Sequence, residues 1–302
     1  MVIDLEVNAC EFALSRPLDN FLNLNFANHL GKIRLSEFSF LALKSDSVAI
    51  DEFINIEEEA LPYMVSPIQS DPTASISLNN INVGNLNFQE GEGIYVDRVQ
   101  EDSNQILLRL SNFGNDIQLI PISELANVKL RNCEVQFSDS VVQSRTLKAR
   151  IDGQNEMVIS PLNNSLTIRV DLPAGLLLSE DYPINISQIS FLEHRPNRQR
   201  KSSVLSGNLR IEETNESYQL RKNVGLNVIP TDLQINSFEI SGKKIKLELV
   251  GQVEKITIGD SERNILPTWL EYLNSNNYLL VLLNSYLVII TFVITIVKLR
   301  DD

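Results

Sequence analysis

The chain has 302 residues, 26 Lys and Arg against 39 Asp and Glu, and a formal net charge of −13. That acidity repels nucleic acid and anionic lipid at long range, so a nucleic-acid-binding role is set aside. Two cysteines are too few for a disulfide framework, and 302 residues are enough for one large or two medium domains.

From the start, strand-like runs dominate. They fall at 3–12, 32–43, 76–88, 94–99, 105–110, 117–121, 128–137, 145–151, 157–159 and 166–172. More follow at 184–191, 204–212, 218–221, 225–229, 233–240, 244–249 and 253–258. Each alternates apolar and polar residues or is rich in β-branched ones, and most are bounded by Asn, Asp, Gly, Ser or Pro. Hairpins are predicted at Ser241-Gly242-Lys243 and near Thr214-Asn215-Glu216. Helix is expected only at 17–27, 56–64 and 267–273. The fold class is all-β, with two sandwich-like or curved-sheet domains and one C-terminal transmembrane α-helix. The domains are expected at 1–172 and 183–260, divided at LPAGLLLSEDYP, with a juxtamembrane linker at 261–277.

Six strands share one pattern: apolar, two mostly polar residues, apolar, one residue, apolar. It occurs from Val7, Leu35, Leu78, Leu130, Ile186 and Ile235, as in Leu35-Ser36-Glu37-Phe38-Ser39-Phe40. The extra polar residue breaks strict alternation. A bulge there keeps the apolar set on one face and bends the strand. Ordinary sheet sequence with Asn and Ser at bends accounts for the pattern, and duplicated β-units are the alternative.

No site motif is present. His29 and His194 belong to no metal-ligand pair, and there is no G-x-S-x-G, phosphate-binding glycine loop or C-x-x-C. Cys10 and Cys133 read as small buried apolar residues. No cofactor, metal or catalytic residue is assigned. The acidic stretch Asp46, Asp51, Glu52, Glu57, Glu58 and Glu59 reads as a solvated face. The basic run His194, Arg195, Arg198, Arg200 and Lys201 reads as an exposed loop, or as a contact for anionic lipid or an acidic partner.

The end of the chain is different. No charged residue occurs from Tyr272 to Val297, and the segment from Tyr278 to Val297 is 20 residues long. Such a helix spans roughly 30 Å, the thickness of a bilayer core. Trp269, Tyr272 and Tyr278 are placed for an interfacial belt, and Lys298 and Arg300 for the opposite headgroups. Asn284 is the least lipid-compatible residue of the span and the candidate for a helix–helix contact. Lys298 and Arg300 favour a cytoplasmic C-terminus, but MVIDLEVNACEFAL resembles no signal peptide, so a cytoplasmic body is expected. The expected role is a non-catalytic, membrane-tethered module with a protein partner. The alternatives are a lipid-handling β-groove and, least favoured, a carboxylate-dependent enzyme.

Overall fold

The computed structural model describes residues 1–18, 32–44, 49–51, 54–55, 62–68, 73–83, 86–98, 105–121, 126–137, 140–150, 156–171, 176–179, 183–194, 200–241, 244–259, 264–275 and 278–301. Twenty-four strands come first: β1 Val2–Val7, β2 Ala9–Leu14, β3 Lys32–Ser36, β4 Phe38–Lys44, β5 Ala49–Asp51, β6 Ile54–Asn55, β7 Pro62–Pro67 and β8 Ser75–Asn79. Next are β9 Ile81–Val83, β10 Gly93–Arg98, β11 Gln105–Ser111, β12 Ile117–Pro121, β13 Asn127–Phe137, β14 Ser140–Arg150, β15 Glu156–Pro161 and β16 Ser165–Asp171. The last are β17 Leu176–Ser179, β18 Ile184–Ser190, β19 Leu192–His194, β20 Arg200–Ser202, β21 Val204–Ile211, β22 Glu216–Leu220, β23 Leu226–Ser241 and β24 Lys244–Ile258. Two helices follow, α1 Trp269–Ser275 and α2 Tyr278–Asp301. The molecule is predominantly β, and every strand pairing described is antiparallel.

All six copies of the broken-alternation pattern lie at bends or register shifts. Glu37, Asn80 and Asn132 take positive φ of 63°, 56° and 55°, each at the extra polar residue. Asn tolerates this conformation because its short side chain bonds locally; for Glu it is costlier. In the other copies the ladder slips near Val7, between Ile186 and Ile189, and between Ile235 and Ser237.

These bends let one strand serve two sets of neighbours. Bent at Asn8, β1 pairs with β21 and β24 while β2 pairs with β10 and β18. The pairings then close into a ring, β1–β24–β23–β18–β2. A second ring runs β8–β13–β7–β4–β15–β12–β9, closed by the bend at Asn80. A seam of β2, β10, β11, β16, β3 and β8 joins the two. Residues 2–14, grouped by the expected division with the N-terminal part, thus hydrogen-bond to strands within 184–250. The expected boundary segment itself holds β17, paired with β23.

The apolar faces meet in one hydrophobic core. Phe12 and Phe238 approach at 6.1 Å between ring centroids, and Phe88 and Phe113 at 5.2 Å. A fully buried Phe or Leu contributes roughly 1.5–3 kcal/mol relative to exposure. Both predicted hairpins form, as β21–β22 and β23–β24. The helix expected over 56–64 is corrected at its end. Pro62–Pro67 is strand β7, held between β4 and β13 by ladders that a propensity argument does not see. The helix expected at 17–27 lies mostly outside the described residues, and Leu18 bridges to Phe88 instead.

Candidate membrane anchor and charged surfaces

Chain direction sets where the C-terminal helices begin. After β24 the chain doubles back. Ile265 N–H donates to Ile256 O at 2.9 Å, and Asn264 Oδ1 accepts from Ile256 N–H at 3.0 Å. A capping box then starts α1: Thr268 Oγ1 accepts from Glu271 N–H at 3.3 Å, and Glu271 Oε2 accepts from Thr268 N–H at 2.7 Å. Tyr272 shares a cleft of about 430 Å³ with Met1, Gly251 and Val253. The Tyr272 and Tyr278 rings stand 6.2 Å apart at the α1–α2 junction. The expected belt residues Tyr272 and Tyr278 therefore lie together; the side chain of Trp269 lies outside the described residues.

α2 has 24 residues, about 36 Å of helix. Its large apolar side chains are exposed on every side, with Tyr286 at 63%, Val288 at 68% and Phe292 at 65%. Ser285 Oγ donates to Val281 O and Thr291 Oγ1 to Leu287 O, both at 2.8 Å, so these hydroxyls are satisfied within the helix. Asn284 is exposed among them. Lys298 and Arg300 close the helix, with side chains outside the described set. Side chains along α2 are described without interruption only from Tyr278 to Ile294. Among the described residues no helix is long and apolar enough to cross a membrane.

The basic run is not a plain loop. His194 ends β19 and Arg200 starts β20, and the two strands form a separate hairpin in which Glu193 faces Lys201 and His194 faces Arg200. Arg195 and Arg198 lie outside the described residues. The base of the hairpin is held at the β1–β2 bend. Asn8 Nδ2 donates to Glu193 Oε1 at 3.0 Å, Asn8 N–H to Ser203 O at 2.9 Å, and Ser203 Oγ to Ala9 O at 2.5 Å. Met1, beside α1, is at the other end of β1. Six residues of strand, about 20 Å, separate the two places. The hairpin base is thus held away from α1, which weakens a shared contact with one bilayer surface.

A cleft of about 480 Å³ opens on the outer face of β21, β1, β24 and β23, lined by Asp4, Glu6, Glu239, Lys246 and Glu248 among others. Three of these charges are paired: Lys244 Nζ meets Glu6 Oε2 at 2.7 Å, and Lys246 Nζ meets Glu239 Oε2 at 3.2 Å. The Lys244 bond, then the Ser206 hydroxyl, hold the Glu6 carboxyl below its ordinary range. Five of its eleven lining residues are charged, which sets it apart from the apolar tube a lipid-handling role asks for.

Sequence reading missed Glu92, which sits in what looks like a simple Gly91-Glu92-Gly93 turn. It is 5% exposed, and Oε2 accepts from Gln89 N–H at 2.8 Å. Burial raises its pKa, and backbone hydrogen bonds from Gln89 and Gly114 partly oppose that. Cys10 and Cys133 are buried free thiols, and burial pushes the Cys10 thiol up. Among the described residues no group of three or more His, Cys, Asp and Glu is placed to hold a metal ion. Of the acidic stretch, only Asp51 is described, at the end of β5; His29 lies outside the described residues.

The chain matches no family model, no curated protein and no solved structure.

Proposed function

We propose that this protein is a non-catalytic, membrane-tethered interaction module, in which α2 spans the bilayer and the β body meets a protein partner. One observation carries the reading: α2 exposes apolar side chains on every side, over a run with no charged residue between Tyr278 and Val297. A helix apolar all round needs an apolar surrounding. The sequence to Val297 completes the length a span requires, and the back-bonded Ser285 and Thr291 suit a setting without water. Asn284 is the point where a partner helix gains a hydrogen bond. The two free thiols fit a reducing compartment and support a cytoplasmic body.

Membrane fractionation of the full chain tests the anchor. Retention in the pellet through alkaline wash, with release by detergent, is the expected result. Recovery in the soluble fraction without detergent ends the reading. Protease treatment of sealed vesicles of known orientation then reports which side the body faces.

A further inference from the structure

On the seam, the sheet carries a row of cations that no sequence run announces. In register across the strands stand Lys148 on β14, Lys129 on β13, Ser77 on β8, Arg34 on β3 and Arg169 on β16. Arg34 and Arg169 stand opposite one another, and Lys129 is in register with Lys148. Arg131, two positions along β13, is paired with Ser75. The flanking Ile33, Leu35, Val128, Leu130, Ile168 and Val170 are buried, whereas Arg34, Lys129, Arg131 and Arg169 are exposed. These four cations therefore share the outer face.

Like charges directly opposite on a sheet are destabilising. On the outer face of β1, β24 and β23 two lysines pair with glutamates, although Asp4 and Glu248 also stand opposite one another. On the seam no ion pair reaches Arg34, Lys129, Arg131 or Arg169 among the described residues, although acids outnumber bases in the chain. The nearby acids are Asp171, two positions beyond Arg169, Asp51, opposite Lys148 in register, and Glu37, whose carboxylate accepts from the Thr167 hydroxyl two positions before Arg169. The row extends over four strand steps, about 19 Å.

We propose that this face docks an acidic polypeptide segment of a partner protein, its carboxylates seated between Lys129, Arg34 and Arg169. The proposal rests on the interaction-module reading and names the chemistry of its partner. An extended acidic segment places carboxylates on one side about every 7 Å, within reach of side chains on neighbouring strands. Single-stranded nucleic acid is disfavoured because the row offers no aromatic platform for bases. The membrane around the anchor is disfavoured by position. β16 and β3 pair with no strand of the first ring, whereas α1 sits beside β24.

The test uses the full chain in neutral detergent, with a fluorescent poly-glutamate peptide as probe. Binding that weakens as salt rises is expected. It should fall about tenfold in the double variant Arg34→Ser, Arg169→Ser and be unchanged in the control Arg221→Ser, Lys222→Ser. Thermal unfolding checks folding of each variant; if the first double variant unfolds, Lys129→Ser with Arg131→Ser takes its place. No peptide binding, or equal loss in the control, overturns the proposal. So does tighter, row-dependent binding of oligothymidylate or phosphatidylserine vesicles, or self-association that the row variants abolish. Failure of peptide binding in a chain that still pellets with membranes sinks this assignment alone. Soluble behaviour with peptide binding intact sinks only the anchor.

Discussion

Replacing Gly251 with alanine tests whether the bend in β24 holds the ring closed. Gly251 has φ +143° and sits opposite Leu233, where the β23–β24 ladder has just slipped around Pro230 and Asp232. Its N–H donates to Met1 O at 3.1 Å, which ties the start of β1 to the bend. A Cβ there would overlap the Asp232 carbonyl oxygen and stand 3.0 Å from Leu233 Cα, both of them backbone. Two costs add: about 1–2 kcal/mol for an alanine held at positive φ, and about 1–3 kcal/mol for displacing packed backbone. The expected loss is about 2–5 kcal/mol. Gly91→Ala separates the two costs, because Gly91 has φ +82° with nothing within 4 Å of the new Cβ. It should lose only the strain, about 1–2 kcal/mol. Urea unfolding in mild detergent, followed by near-ultraviolet circular dichroism, reads both. If Gly251→Ala costs no more than Gly91→Ala, the close approach at the bend is wrong.

Three further outcomes are expected. Glu92 has a raised folded pKa, so its contribution is fully present below its unfolded pKa and is lost as pH rises through the folded one. Glu92→Gln should remove that slope in stability against pH, and an unchanged slope would show that Glu92 is not its source. Asn132→Ala should cost about 1–2 kcal/mol, because alanine is strained at φ 55° and the 2.6 Å bond to Thr73 Oγ1 disappears; a thermal melt unchanged from the parent would contradict this. Ile289→Arg, near the middle of α2, should lower membrane retention by about 3 kcal/mol of insertion free energy. Wild-type retention of that variant would show that α2 does not sit in a bilayer.

Strands were legible wherever one face is buried, because period-2 alternation records burial directly, as in Ile33-Arg34-Leu35. The bends were legible too, since Glu37, Asn80 and Asn132 interrupt that alternation by one residue. What failed was whatever depends on partners. β17 lies in Leu176–Ser179, a continuous apolar run without alternation, and it is a strand because β23 lies beside it. β7 carries no strand signal stronger than its helical competitor and is fixed by β4 and β13. The cation row was invisible for the same reason. Arg34, Lys129 and Arg169 are far apart in the chain, and register alone aligns them. The contiguous run His194–Lys201, by contrast, is visible as a run in the sequence, and its described ends belong to the paired strands β19 and β20, at the far end of β1 from α1.

The ring that β1 completes imposes an order on synthesis. Val2 pairs with Val250 and Leu5 with Leu247, so β1, made first, has to wait until nearly the whole β body has been made. Until then β24 is missing from one of its edges, and the ring stays open for as long as the ribosome needs to reach residue 250. The apolar stretch of α2 follows soon after. The interval between closing the barrel-like ring and completing the apolar helix is therefore short.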